Sequence, residues 1–134
     1  MKKICIVTSM YNQNVTTKLR VNAKKVLTKI NKIVIKDIEV SGAFEIPVMI
    51  SRLAKRYDGF IAIGCIIKGQ TKNFDLISQA ITNGIMQISI QEKKPIGNAI
   101  LTCLNQDQAK NRFERGTEAA NAVISVLKNG SKKI

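Results

Sequence analysis

Histidine is absent from all 134 residues, so no imidazole in the chain can carry a proton. Tryptophan is absent too, and two Tyr and four Phe leave little aromatic surface on which nucleic-acid bases could stack. Acidic residues are scarce, 9 against 22 Lys and Arg, which gives a formal charge of +13. That charge would suit a nucleic-acid binder, but the lysines are scattered through every helical pattern rather than gathered in one stripe. Scatter describes a solvated surface, and no specific nucleic-acid partner is expected. A chain rich in Lys, Asn and Ile is also what an A/T-rich genome produces. Apolar runs are short. None approaches the roughly 20 residues of a membrane span, and MKKICIVTSM turns polar too soon for a signal peptide, so no membrane partner is expected and the location expected is the cytoplasm. Cys5, Cys65 and Cys103 are odd in number and isolated within apolar runs, which excludes a disulfide framework and suggests no metal site. Three buried, reduced thiols are expected. Neither a GxGxxG fingerprint nor a GxxxxGK[ST] loop is present, so dinucleotide and nucleoside-triphosphate sites lack their usual support.

What is present suits a single domain, residues 1–134, since 45% hydrophobic content in a chain of this length fills one core and leaves no room for a second. Ile4 to Ser9, Ile33 to Val40, Phe60 to Ile67 and Ile96 to Cys103 read as strands, the first apolar and central, the second partly alternating and nearer an edge. Helical patterns lie between them: Leu19, Ala23, Val26, Leu27 and Ile30; then Ile46, Ile50, Leu53, Ala54 and Tyr57; then Ile77, Ile81, Ile85 and Ile88 from a start near Phe74. A last helical region begins near Asn105 and carries Ala119, Ala122, Val123, Val126 and Leu127. Strands that alternate with helices predict an α/β fold, a three-layer α/β/α sandwich around a four-stranded parallel sheet. Ligands of such sheets bind beyond the carboxyl ends of the strands, where the connecting loops gather.

One of those loops lies in GCIIKGQTKNFDLI, Gly64 to Ile77, between an apolar strand and a helix. Gly69 would let the backbone approach a ligand, and the amides from Gln70 to Asn73 would sit at the positive helix end, where phosphate or carboxylate is stabilised. The competing reading is an ordinary βα turn in which Thr71 or Asn73 serves only as a helix cap. A second loop is SGAFEIP. There Pro47 fits the first turn of the following helix, Gly42 permits a sharp exit from the strand, and Glu45 places a favourable charge at the helix start.

VSGAFEIP from Val40 to Pro47, GCIIKGQTKNFD from Gly64 to Asp75 and ILTCLNQDQAKNR from Ile100 to Arg112, in this order and spacing, resemble the 6,7-dimethyl-8-ribityllumazine synthase family of riboflavin biosynthesis. The resemblance runs from about Ile4 to Leu127 with one short deletion near Arg112. It implies a flavodoxin-like fold and a transferase that joins 5-amino-6-(D-ribitylamino)uracil to 3,4-dihydroxy-2-butanone 4-phosphate, with no cofactor and no metal. By the resemblance, Ala43, Phe44 and Glu45 hold the ribityl chain and Tyr11 stacks on the pyrimidine. Main-chain groups of Cys65, Ile66 and Ile67 recognise the pyrimidinedione edge, and Gln70 and Thr71 bind the phosphate. Arg112, contributed to the neighbouring subunit's site, would grip the same phosphate through a bidentate guanidinium. Arg115 stands near a family lysine, although the deletion leaves that position open. The implied assembly is a homo-oligomer, a pentamer or a shell of pentamers. The chain starts almost directly with its first strand, so a free pentamer is the expectation.

Two departures bear on catalysis. Asn73 stands where the family has a proton-transferring histidine, and an amide is neither a general acid nor a base. Such help is worth roughly 100- to 10,000-fold, while orientation alone supplies roughly 7 to 11 kcal/mol, so the expectation is a slow but real enzyme. Asp75 and Glu118 are candidates to shuttle protons instead, against their ordinary roles in a first helical turn or on an exposed face. Asn98 replaces an apolar or aromatic residue that packs on the pyrimidine from the neighbouring subunit, which predicts weaker affinity for that substrate. The alternative is a catalytically degenerate homologue that binds a flavin, a ribityl compound or a phosphorylated metabolite.

Overall fold

A computed structural model describes residues 1–129. Four parallel strands, β1 (Lys2–Ser9), β2 (Ile33–Val40), β3 (Gly59–Ile67) and β4 (Ile96–Cys103), form one sheet in the order β2-β1-β3-β4. The strand bounds expected from the apolar runs hold to within two residues, because a strand covered on both faces must be apolar along its length. β3 is buried at every position, and β1 is buried from Ile4 to Ser9. β2 lies at an edge, with Ile33, Ile35 and Ile38 half-buried and Val34, Lys36, Asp37 and Glu39 exposed, as its mixed pattern implied.

Helices cover both faces. On one, α1 (Gln13–Leu27) and α5 (Glu114–Asn129) bury Leu19, Ala23 and Val123 against Ile4, Ile6, Ile61, Ile63 and Leu101. On the other, α2 (Ile46–Leu53) and α3 (Phe74–Glu92) bury Ile46, Ile50, Ile81 and Ile85 against Cys5, Val7, Phe60 and Ala62. Each Val, Leu, Ile or Phe among them contributes about 1.5–3 kcal/mol when fully buried. The three-layer α/β/α sandwich is therefore observed. Two close approaches fix the packing of α5, one against α1 and one against the sheet. A Cβ on Gly116 of α5 would lie 2.1 Å from the Leu19 carbonyl oxygen of α1, and one on Gly97 of β4 would lie 2.3 Å from the Ala119 carbonyl oxygen of α5.

Two helices stop earlier than their patterns. α1 ends at Leu27, where Thr28 Oγ1 donates to the Lys24 carbonyl and the amides of Lys29 and Ile30 donate three residues back, so Ile30 reaches the core from a turn. α2 ends at Leu53 because the chain must turn into β3. Asp58 exchanges two hydrogen bonds with Lys3, its amide to the Lys3 carbonyl and its carboxylate from the Lys3 amide, both at 2.8 Å. Tyr57 then packs edge-on against Phe60 from outside the helix. The last helical region begins as expected after Asn105, whose side chain accepts from the Gln108 amide at 2.9 Å, but it breaks into α4 (Gln106–Lys110) and α5.

Candidate active site

The chain leaves β1 toward β2 on one side, while β3 lies on the other, so the loops after β1 and β3 diverge and open a crevice at the carboxyl end of the sheet. A cleft of about 600 Å³ occupies this place. Its walls come from three places: Tyr11 and Asn12 after β1, Gly42 to Glu45 after β2, and Cys65 to Ile67 at the end of β3 with Gln70 to Lys72 beyond it, while Ile77 of α3 stands at the back. Tyr11, Ala43, Phe44, Glu45, Cys65, Ile66, Ile67, Gln70 and Thr71, singled out in the sequence, are thus brought together.

The β2 loop forms a short 3-10 turn over Ala43–Glu45 that leads into α2, with Pro47 in its first turn. Glu45 Oε1 accepts from the Ser41 hydroxyl at 3.0 Å, which fixes the carboxylate at the rim. Gly42 leaves the strand without a left-handed backbone. Its backbone is extended, at φ −144°, and its value lies in close approach, since a Cβ there would stand 3.1 Å from Glu45 Oε1 and 3.7 Å from the Tyr11 ring. Tyr11 is 70% exposed and Phe44 63% exposed, so both rings offer apolar surface to a ligand.

Beyond β3, residues Lys68–Gln70 make one 3-10 turn, Thr71 is extended, and Asn73 takes the left-handed conformation, φ 57°, at the start of α3. No side chain caps α3, so its first-turn amides are available to an anion. Asn73 therefore occupies the N-cap position without acting as a capping acceptor, and the Thr71 amide donates back to the Lys68 carbonyl at 3.4 Å. A Cβ on Gly69 would meet nothing within 4 Å, so the space beside that residue is open. The Cys65 carbonyl accepts from Asn12 Nδ2 at 3.0 Å. The Cys65 thiol belongs to the core, where burial, with a smaller push from Cys103, raises its pKa to about 12. All three cysteines are buried and free.

Asn73, Asn98 and Arg112 do not line this chain's cleft. Asn98 lies on the edge strand β4, where its Oδ1 accepts from the Ile100 amide at 2.9 Å. Arg112 follows α4 and is exposed, with Nη1 3.9 Å from Cys103 Sγ. Asp75 is exposed in the first turn of α3, and Glu118 is exposed on α5 beside Arg115, at 3.9 Å. The lining residues to which the sequence assigned no substrate contact are Asn12, Gly42, Lys72 and Ile77. Of these Asn12 matters most to the architecture. At φ 56° it starts α1, ties β1 to β3 through the Cys65 carbonyl, and accepts from Gln106 Nε2 at 3.1 Å. An Asn directly before a helical pattern is a signal for such a position. Among the described residues, no three His, Cys, Asp or Glu side chains gather as metal ligands would.

Comparison with known proteins agrees with this geometry. The family model described as 6,7-dimethyl-8-ribityllumazine synthase matches residues 1–130. A protein of that name from Limosilactobacillus reuteri is 37% identical over 129 residues, covering 93% of this chain and 85% of the relative. One from Acidovorax ebreus is 36% identical over 128 residues, covering 92% and 83%. One from Corynebacterium urealyticum is 32% identical over 129 residues, covering 91% and 80%. With the model matching nearly the whole chain and the three loops converging on one cleft, the chain belongs to the 6,7-dimethyl-8-ribityllumazine synthase family.

Proposed function

We propose that this protein is a lumazine synthase, a transferase that condenses 5-amino-6-(D-ribitylamino)uracil with 3,4-dihydroxy-2-butanone 4-phosphate. The observation that carries the reading is the convergence of the SGAFEIP and GCIIKGQTKN loops on one cleft at the switch point of the sheet. The 5-amino group attacks the ketone and water leaves to give a Schiff base. Phosphate is then eliminated, and the ribitylamino nitrogen closes the second ring with loss of another water. Tyr11 would stack on the pyrimidine, backbone groups from Cys65 to Ile67 would read its edge, and Ala43 to Glu45 would hold the ribityl chain. Gln70, Thr71 and the uncapped start of α3 would receive the phosphate.

Arg112 and Asn98 act in a neighbouring subunit's cleft. Their position outside their own chain's cleft supports that reading, as does the exposed apolar side of α3, which carries Leu76, Met86 and Ile90. A single-domain protomer in a cytoplasmic homo-oligomer, a pentamer or a shell of pentamers, accommodates these features. With Asn73 in place of an imidazole, catalysis rests mainly on orientation. Asn and His both tolerate the left-handed backbone found at this position, so Asn73→His should fit without rearrangement.

The test is lumazine formation followed by absorbance for wild type, Asn73→His and Arg112→Ala against the uncatalysed background. Catalysis above background that is lost in Arg112→Ala and raised in Asn73→His is expected. A wild-type rate equal to background, with activity appearing only in Asn73→His, would sink the synthase reading in favour of a binding protein.

A further inference from the structure

Among the residues that line the cleft, Lys72 is the only cation. The one carboxylate there, Glu45, is held by the Ser41 hydroxyl, and Lys72 takes part in none of the ion pairs among the described residues. Lys72 immediately precedes Asn73 and the uncapped N-terminus of α3, on the loop whose Gly69 faces open space. The rest of the loop that lines the cleft, Gln70 and Thr71, offers only neutral donors to a phosphate. Arg112 lies outside this chain's cleft.

We propose that Lys72 holds the phosphate of the butanone phosphate from within its own subunit and stabilises it as it leaves, an assignment that rests on the synthase reading. In the elimination a proton leaves the carbon that bears the hydroxyl, the neighbouring carbon–oxygen bond to phosphate breaks, and the electron pair departs on the phosphate. An ammonium with three donors on a flexible stem follows that growing charge without surrendering a proton. Lys72 and the helix amides then form the subunit's own half of the phosphate site, and Arg112 of the neighbouring copy forms the other half.

The experiment measures steady-state KM for each substrate, and calorimetric binding of inorganic phosphate, in wild type, Lys72→Gln and Lys72→Arg. Lys25→Gln, an exposed change on α1, controls for loss of one charge from a strongly basic protein. Lys72→Gln should raise KM for the butanone phosphate by about tenfold, the low end for a charge-assisted hydrogen bond on an open surface. It should weaken inorganic phosphate by a similar factor and leave KM for the pyrimidine unchanged, with Lys72→Arg close to wild type. A KM and a phosphate affinity that move no more than in Lys25→Gln would overturn the assignment while leaving the synthase reading intact. Phosphate binding that depends on Lys72 in a protein that forms no lumazine would uphold the site and refute the reaction.

Discussion

Gly116→Ala sets two opposing effects against each other. Alanine is favoured over glycine within a helix by about 1 kcal/mol, so propensity alone predicts stabilisation of α5. Packing predicts the reverse. The new Cβ would fall 2.1 Å from the Leu19 carbonyl oxygen and 2.9 Å from its carbon, and neither belongs to a flexible side-chain end. Normal carbon–oxygen contact needs about 3.3 Å, so α5 must retreat from α1 by roughly 1 Å. Overpacking typically costs about 1–3 kcal/mol, and an obstruction made of helix backbone belongs at the upper end. The net effect is about 2 kcal/mol of destabilisation, or a fall in Tm of about 8 °C for a domain of this size. Gly84→Ala in α3 supplies the contrast. Its Cβ would meet Pro47 Cβ at 3.4 Å and Cγ at 3.6 Å, ordinary contact, so propensity should win and Tm should rise by a few degrees, about 4 °C at most. Thermal melts followed by far-UV circular dichroism at equal protein concentration read both changes, because association would make Tm depend on concentration. A Gly116→Ala protein that melts at or above wild type would refute the reasoning.

Asn12→Ala removes the bonds to the Cys65 carbonyl and Gln106 and leaves alanine in a left-handed backbone. About 2–3 kcal/mol of destabilisation is expected from urea titration, and Asn12→Gly, which keeps the backbone comfortable, should recover about a third of it. Burial raises the Cys5 and Cys65 thiols from 9.0 to about 12, with a smaller upward push from Asp37 on the first and from Cys103 on the second. The folded chain thus holds these protons more tightly than the unfolded chain. Their contribution is complete below pH 9 and is lost as pH rises toward 12. Between those limits, Tm relative to its neutral-pH value should fall less steeply in Cys65→Ala than in wild type, and identical slopes would count against the burial argument. Asn98→Phe should lower KM for the pyrimidine substrate by about two- to tenfold through aromatic packing, with KM for the butanone phosphate unchanged. An unchanged pyrimidine KM would place residue 98 outside the neighbouring cleft.

Local pattern was enough where burial is regular. The apolar runs at Ile4 and Phe60 mark β1 and β3, because burial on both faces imposes one chemistry along the strand, and the spacing of Ile77, Ile81, Ile85 and Ile88 marks the one face that α3 turns to the core. It failed at Ile30 and Tyr57, which keep the helical spacing yet reach the core from turns, since apolar periodicity records burial and not the hydrogen bonds that end a helix. Family motifs named most of the cleft by likeness, but not Lys72 or Asn12. A lysine among 22 basic residues carries no local mark of its position, and Asn12 acquires its role only when β3 brings the Cys65 carbonyl within 3.0 Å.

The alternation of strands and helices, the parallel three-layer class and the position of the loops between them are written in short stretches of the chain, because all of these follow from local burial pattern and turn chemistry. The order β2-β1-β3-β4, the meeting of three distant loops in one cleft, the placing of Lys72 in that cleft with Asn98 and Arg112 outside it, and the glycine on which α1 and α5 close emerge only when the chain has folded. These depend on contacts between residues far apart in the chain, whose energies no single stretch of sequence contains.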